Sequence, residues 1–170
     1  FIDPFQGTVM AKFASEHLKV KKVAILTDVK SDYSTGLAQF FKQDFTAKGG
    51  QIVSEQSYQS GDIDFKGQLT AIRASKPEAI FVPGYYTEVG LIARQARQLG
   101  LKQPLMGGDG WDSTKLYEIG KEAINGGYFS NHYTTESTDP AVQKFIADFK
   151  AEYNGEVPDG LAAMGYDAAL

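Results

Sequence analysis

Short apolar, β-branched runs recur along this chain with amphipathic patterns between them, and that alternation limits the fold more than any other feature. The runs are VAIL (Val23 to Leu26), QIVSEQSY (Gln51 to Tyr58), AIFV (Ala79 to Val82), PLMG (Pro104 to Gly107) and GGYFSNHY (Gly126 to Tyr133). Between them, Leu37, Phe41 and Phe45 repeat every four residues, and Val89, Ile92, Ala93, Ala96 and Leu99 follow the spacing of one buried helix face. A third helix is predicted over 140–153. Asp139 can cap it, Pro140 takes a first-turn position, and Val142, Phe145, Ile146, Phe149 and Tyr153 form its apolar stripe. Short apolar strands joined by helices predict the α/β class: a doubly wound, mainly parallel sheet with helices on both faces and right-handed crossovers.

A chain of 170 residues accommodates one well-buried domain rather than two. The 42% hydrophobic and 22% charged residues are those of a globular chain, which sets disorder aside. The net charge is −4 and the basic residues are scattered, so there is no stripe to neutralise phosphates and nucleic acid is not an expected partner. Without cysteine, disulfides, thiolate metal sites and a cysteine nucleophile are excluded. No apolar run approaches the ~20 residues that span a bilayer, and the opening FIDPFQG lacks the pattern of a signal peptide. The closing GLAAMGYDAAL reads as a helix that begins and stops without a cap, so the chain is expected to be part of a longer one.

In doubly wound sheets, ligands sit at the carboxyl ends of the strands. The loops expected there are TDVKSDYSTG (Thr27 to Gly36), PGYYTE (Pro83 to Glu88) and GGDGWDS (Gly107 to Ser113). Catalysis finds little support in them. The two histidines, His17 and His132, have no metal-ligand spacing, and the phosphate-loop, dinucleotide and nucleophile-elbow motifs are absent. GGDGWDS lacks the oxygen-donor ladder of a calcium loop. Asp28, at the end of the first strand, raises a receiver-like phospho-acceptor as an alternative, but the earlier acidic pair and the later lysine that such domains carry cannot both be placed here. No cofactor, metal or catalytic residue is therefore assigned, and the expectation is a protein that binds rather than catalyses.

The same loops offer Tyr33, Tyr85, Tyr86 and Trp111 as aromatic surface and Asp109 as a fixed negative charge. Aromatic walls with a few polar groups describe a small-molecule site, and a carboxylate beside an aromatic face suits a primary ammonium. Each residue also has a structural reading. Asp109 can satisfy the N–H groups of its own Gly-rich turn, and Trp111 can serve as packing rather than contact. If the segment is extended, only one of Tyr85 and Tyr86 can face the site. Asp112 and Ser113 read as caps for a helix starting at Thr114.

With these residues in view, the chain resembles the second lobe of type I periplasmic binding proteins, specifically the branched-chain amino-acid receptors of ABC transporters. The resemblance runs nearly end to end. It is carried by Asp3 to Gly7 (DPFQG), Val23 to Asp28 (VAILTD), Asp32 to Gly36 (DYSTG), Asp64 to Leu69 (DFKGQL), Gly84 to Gly90 (GYYTEVG), Met106 to Trp111 (MGGDGW) and Gly126 to Phe129 (GGYF). It implies a two-lobe, hinged receptor of the periplasm or another extracytoplasmic space, closing like a Venus flytrap on an amino acid and delivering it to a membrane ABC permease. Carried over residue by residue, Asp109 is the ammonium anchor and Tyr33 and Tyr85 line the ligand, with Trp111 beside them.

The resemblance also divides the chain. Residues 1–130 are expected to form the ligand-binding lobe, and residues 131–170 a return segment packing on a first lobe that the chain does not contain. Ser34 stands where the family usually has glycine, and Asp109 where it often has a longer acid, which points to a different side-chain pocket or a smaller amino-acid-like ligand. An effector-sensing domain of a transcriptional regulator or receptor shares the fold and is the second reading.

Overall fold

The computed structural model describes residues 3–169. Five strands, β1 (Lys22–Asp28), β2 (Gln51–Tyr58), β3 (Ala79–Phe81), β4 (Leu105–Gly107) and β5 (Tyr128–Phe129), form one sheet in the order β2-β1-β3-β4-β5. Every pairing is parallel. The helices are α1 (Asp3–Lys12), α2 (Asp32–Ala47), α3 (Lys66–Ala74), α4 (Tyr86–Gln98), α5 (Thr114–Gly120), α6 (Pro140–Glu152) and α7 (Gly160–Ala169).

Strand alternation builds two separate cores. Val23, Ile25, Ala79, Phe81 and Met106 point to one face, where Met10 and Ala11 of α1 and Leu37, Phe41 and Phe45 of α2 cover them. Ala24, Leu26, Ile80, Val82 and Leu105 point to the other, against Leu69 and Ile72 of α3 and Val89, Ile92, Ala93 and Ala96 of α4. Both faces are thus buried, which is why the central strands read as continuous apolar runs. The predicted faces of α2 and α4 are the buried ones, Leu99 only in part.

The connection after β1 runs into α2 on one face, and that after β3 runs into α4 on the other. Because β1 and β3 are neighbours, the two connections diverge and open a crevice at the carboxyl ends of the strands.

Two elements depart from expectation. The run at 126–133 pairs with β4 only through Tyr128 and Phe129, plus the bond from Ser130 N to Gly107 O, before the chain turns away. α6 is capped as predicted, Asp139 accepting from Ala141 N with Pro140 at the start. Of its apolar stripe only Ile146 is buried, and Tyr153 is exposed.

A buried hydroxyl of the second core gives a direct stability test. Tyr58 lies edge-on to Phe65, and its hydroxyl has no hydrogen-bond partner among the described residues. Burial, then the charges of Asp28 and Glu88, push its phenol above the usual range. Tyr58→Phe keeps the ring and removes an unpaired polar group. It is expected to stabilise by about 1 kcal/mol, a rise in Tm of roughly 2–4 °C measurable by circular dichroism. A lower Tm would mean that the hydroxyl is satisfied.

Candidate functional site

The crevice is assembled from four connections and one helix. At the end of β1, Ser31 caps α2 by accepting from Ser34 N at 3.2 Å, and the Ser34 hydroxyl accepts from Asp28 N at 3.0 Å. Ser34 is fully buried, so the hydroxyl supplies a tie between strand and helix that a glycine could not. This fixes Tyr33 in the first turn of α2. At the end of β3, Tyr85 stands just before α4 in an extended conformation, 41% exposed. Its ring lies 5.1 Å from that of Tyr33, whereas Tyr86 packs on the second core. Of the two adjacent tyrosines, one faces the crevice and one is structural.

At the end of β4 the chain makes a 3-10 turn over Asp109–Trp111. Here glycine is required by close approach. A Cβ on Gly108 would stand 2.5 Å from the Tyr33 hydroxyl and 3.0 Å from Gln6 Oε1, and one on Gly110 would stand 2.8 Å from Gly84 O. The turn therefore presses against α1, α2 and the β3–α4 connection, and it delivers Asp109 into their midst.

The Asp109 carboxylate is largely buried and takes its bonds from other segments. Its Oδ1 accepts from Gln6 Nε2 and from the Tyr33 hydroxyl, each at 2.8 Å. The Gln6 carbonyl accepts from Asp109 N at 3.2 Å and from the Ser130 hydroxyl at 2.9 Å, and Gly110 N donates to the Tyr33 oxygen at 3.0 Å. Gln6 thus bridges Asp109 to the segment after β5. Burial, and after it the Asp109 charge, push the Tyr33 phenol above its usual range. Tyr33 remains a neutral donor wherever the carboxylate is charged. On the other side of the carboxylate, His132 Nδ1 lies 3.7 Å from Oδ2.

Trp111 does not join this wall, and the expectation that it lines the ligand is corrected. It is 1% exposed, belongs to the core around β3 and β4, and donates from its indole N–H to Val82 O at 3.0 Å. The 3-10 turn swings it inward beneath the loop, where the missing side chain of Gly107 leaves room for the ring. Ser113 caps α5, accepting from Lys115 N, but Asp112 does not. Its carboxylate accepts from Asn131 Nδ2 at 2.8 Å and Gly160 N at 2.6 Å, fastening α7 to the site loop. Asp28 is likewise occupied: it accepts from Lys30 N, Ser60 N and the Ser60 hydroxyl, and at 3% exposure it is not presented as a phospho-acceptor.

Tyr33, Tyr85 and Asp109 therefore meet, and Gln6, Ser130 and His132 join them without having been singled out for this site. Gln6 lies in one of the stretches that carry the resemblance, but its role depends on α1 reaching the far end of the sheet. Among the described residues no group of three or more His, Asp or Glu could hold a metal ion, and no helix is long and apolar enough to cross a membrane.

A five-stranded parallel sheet with helices on both faces is the architecture of the type I periplasmic binding fold, and its switch-point crevice holds one anchored carboxylate and two tyrosines. The chain belongs to the periplasmic binding protein family, whose model matches residues 4–170. It is 36% identical over 152 residues to the Leu/Ile/Val-binding protein BraC3 of Rhizobium johnstonii, covering 89% of this chain and 41% of that protein. It is 30% identical over 163 residues to the leucine-, isoleucine-, valine-, threonine- and alanine-binding protein of Pseudomonas aeruginosa, covering 96% and 43%. A solved leucine-binding protein from Thermotoga maritima superposes with a TM-score of 0.93 at 46% identity, over 99% of this chain and 48% of that one. A branched-chain amino-acid transporter substrate-binding protein from Streptococcus pneumoniae, solved with isoleucine, gives 0.88 at 37% identity, over 99% and 48%. The chain spans about two fifths of the length of these curated relatives.

Proposed function

We propose that this chain is the ligand-binding lobe of a non-catalytic amino-acid receptor of an ABC importer, working outside the cytoplasmic membrane, with a branched-chain amino acid or a similar small molecule as its ligand. The observation that carries the reading is the Asp109 carboxylate, immobilised through Oδ1 by Gln6 and Tyr33 at the base of a crevice whose walls include Tyr33 and Tyr85. A fixed anion beside aromatic rings suits a primary ammonium by charge and by ring-face attraction. The ligands for which the similar proteins are named, leucine, isoleucine and valine among them, all carry that group.

Residues 1–130 form the lobe in this reading, and residues 131–170 return to a first lobe supplied by the rest of the protein. The partly uncovered stripe of α6, together with exposed Met164 and Tyr166 of α7, supplies apolar surface for that lobe to cover. The first lobe would clamp the ligand carboxylate, and a membrane permease would receive the closed receptor.

A thermal-shift screen of the full-length protein against the amino acids tests the reading. A ligand at about a hundred times its Kd stabilises the native state by ~2.7 kcal/mol, so leucine, isoleucine or valine is expected to raise Tm by several degrees. A screen in which no amino acid shifts Tm would sink the proposal.

A further inference from the structure

The excursion that carries α6 starts at Asn131 and comes back at Gly160, and a single oxygen holds both points. Asp112 Oδ2 accepts from Asn131 Nδ2 at 2.8 Å and from Gly160 N at 2.6 Å, which fills both acceptor positions of that atom. Asn131 follows directly on Ser130, whose N–H bonds to Gly107 O at the end of β4. Its amide is turned toward Asp112 because its own Oδ1 accepts from His132 N at 2.9 Å.

The bond to Gly160 is not a local helix cap. Asp159 supplies that, its Oδ1 accepting from Ala162 N at 2.8 Å, so α7 is capped without Asp112. What Asp112 adds is a tie between segments 48 positions apart, made by a charged acceptor at the positive end of a helix. The approach is close enough to require glycine: a Cβ on Gly160 would stand 2.7 Å from Asp112 Oδ2 and 3.1 Å from Asn131 Oδ1. The excursion is also joined within itself. The ring of Phe145 in α6 meets Tyr133 at 6.1 Å and Tyr166 of α7 at 4.9 Å.

We propose that Asp112 is a latch between the lobes, a positioning residue for ligand capture. Its Oδ2 draws the first turn of α7, and with it the first lobe, against the loop that carries Asp109 three residues earlier, and so stabilises the closed receptor. This rests on the reading of residues 131–170 as the part that packs on the first lobe, and it adds a contact that the ligand does not itself make. The apparent affinity of a ligand scales with the fraction of receptor in the binding-competent arrangement. Breaking a bond that exists only while α7 lies on the loop lowers the closed fraction and leaves the bonds of the ammonium anchor in place. A bound ligand then leaves sooner, while its first encounter with the open crevice is unchanged.

The test is binding of leucine, isoleucine and valine by the full-length protein in wild type, Asp112→Ala, Asp112→Asn, Gly160→Ala and the double variant combining both alanines. Calorimetry gives Kd, and stopped flow gives the two rate constants. Asp112→Ala removes the acceptor and should weaken binding roughly tenfold, almost entirely as faster dissociation. Asp112→Asn keeps a carbonyl that can accept from both donors and should stay within about threefold of wild type. Gly160→Ala places a methyl where the carboxylate sits, so the latch opens although alanine is the better helix former, and binding should weaken about as much as in Asp112→Ala. The double variant should bind no more weakly than either single one, because both break the same bond. Additive losses, or a Gly160→Ala variant that binds as tightly as wild type, would confine Asp112 to shaping its own loop and overturn the latch. Gly160→Ala decides this even where Asp112→Ala lowers the ligand-free Tm. A wild type that binds no amino acid overturns the receptor reading and the latch with it.

Discussion

Asp109→Asn in the full-length protein is expected to abolish measurable amino-acid binding while leaving the fold intact. The two outcomes separate because of how the carboxylate is held. Oδ1 accepts from Gln6 Nε2 and the Tyr33 hydroxyl, and an asparagine carbonyl in the same position accepts from both. The structural bonds survive. What changes is the other atom: where Oδ2 offers a negative acceptor toward His132 and the crevice, the amide offers a neutral donor. An ammonium loses its ion pair and meets an opposing hydrogen. Removing one partner of a desolvated charge pair costs about 2–5 kcal/mol, and ~2.7 kcal/mol is a hundredfold in Kd. Calorimetry should therefore move from clear binding to none at accessible ligand concentrations, with the ligand-free Tm within a few degrees of wild type. Retained affinity would assign the carboxylate a purely structural role, joining α1, α2 and the β4 loop.

The positions of β1, β3 and β4 could be read from sequence because strands buried on both faces show as short apolar runs, that of the half-exposed edge strand β2 from its place between two helical patterns, and α2 and α4 because each presents one buried stripe. β5 was harder. Its pairing spans only Tyr128 and Phe129, and the apolar residues around them give no sign of where the chain leaves the sheet. Asp109, Tyr33 and Tyr85 were visible as residues of loops that a parallel sheet must gather at one end. Gln6 was not, since its contact with Asp109 joins positions 103 apart in sequence and depends on where α1 docks. Asp112 reads locally as a helix cap, and only the return of the chain at Gly160 reveals its other use. The inward turn of Trp111 was hidden for a similar reason: a large aromatic in a glycine loop suits a wall and a core equally well until the backbone direction is known.

That distinction gives Trp111→Ala the largest expected effect on stability. As a wall residue, Trp111 could be truncated with loss of affinity and little change in folding. As a core residue it cannot. It is 1% exposed, shares a buried core with Leu105, Val82 and Leu116, and donates its indole N–H to Val82 O. Truncation leaves a cavity beneath the loop and removes one of the two hydrogen bonds that Val82 O accepts, the one from Gly84 N remaining, and large aromatic-to-alanine changes in cores cost about 3–5 kcal/mol. Much of the stability of a domain with roughly 5–15 kcal/mol in total would be gone. Urea denaturation followed by circular dichroism should show a midpoint shifted far down. In wild type, unfolding should also shift the emission of this sole tryptophan to the red as it leaves the core. Trp111→Phe keeps most of the apolar volume and should recover more than half of the loss. Because Gly107 is shaped around the indole and precedes Asp109 by two residues, the alanine variant should also bind ligand more weakly, through a loop that has lost its floor. Unchanged stability with weakened binding would return Trp111 to the wall and reverse the assignment made from its burial.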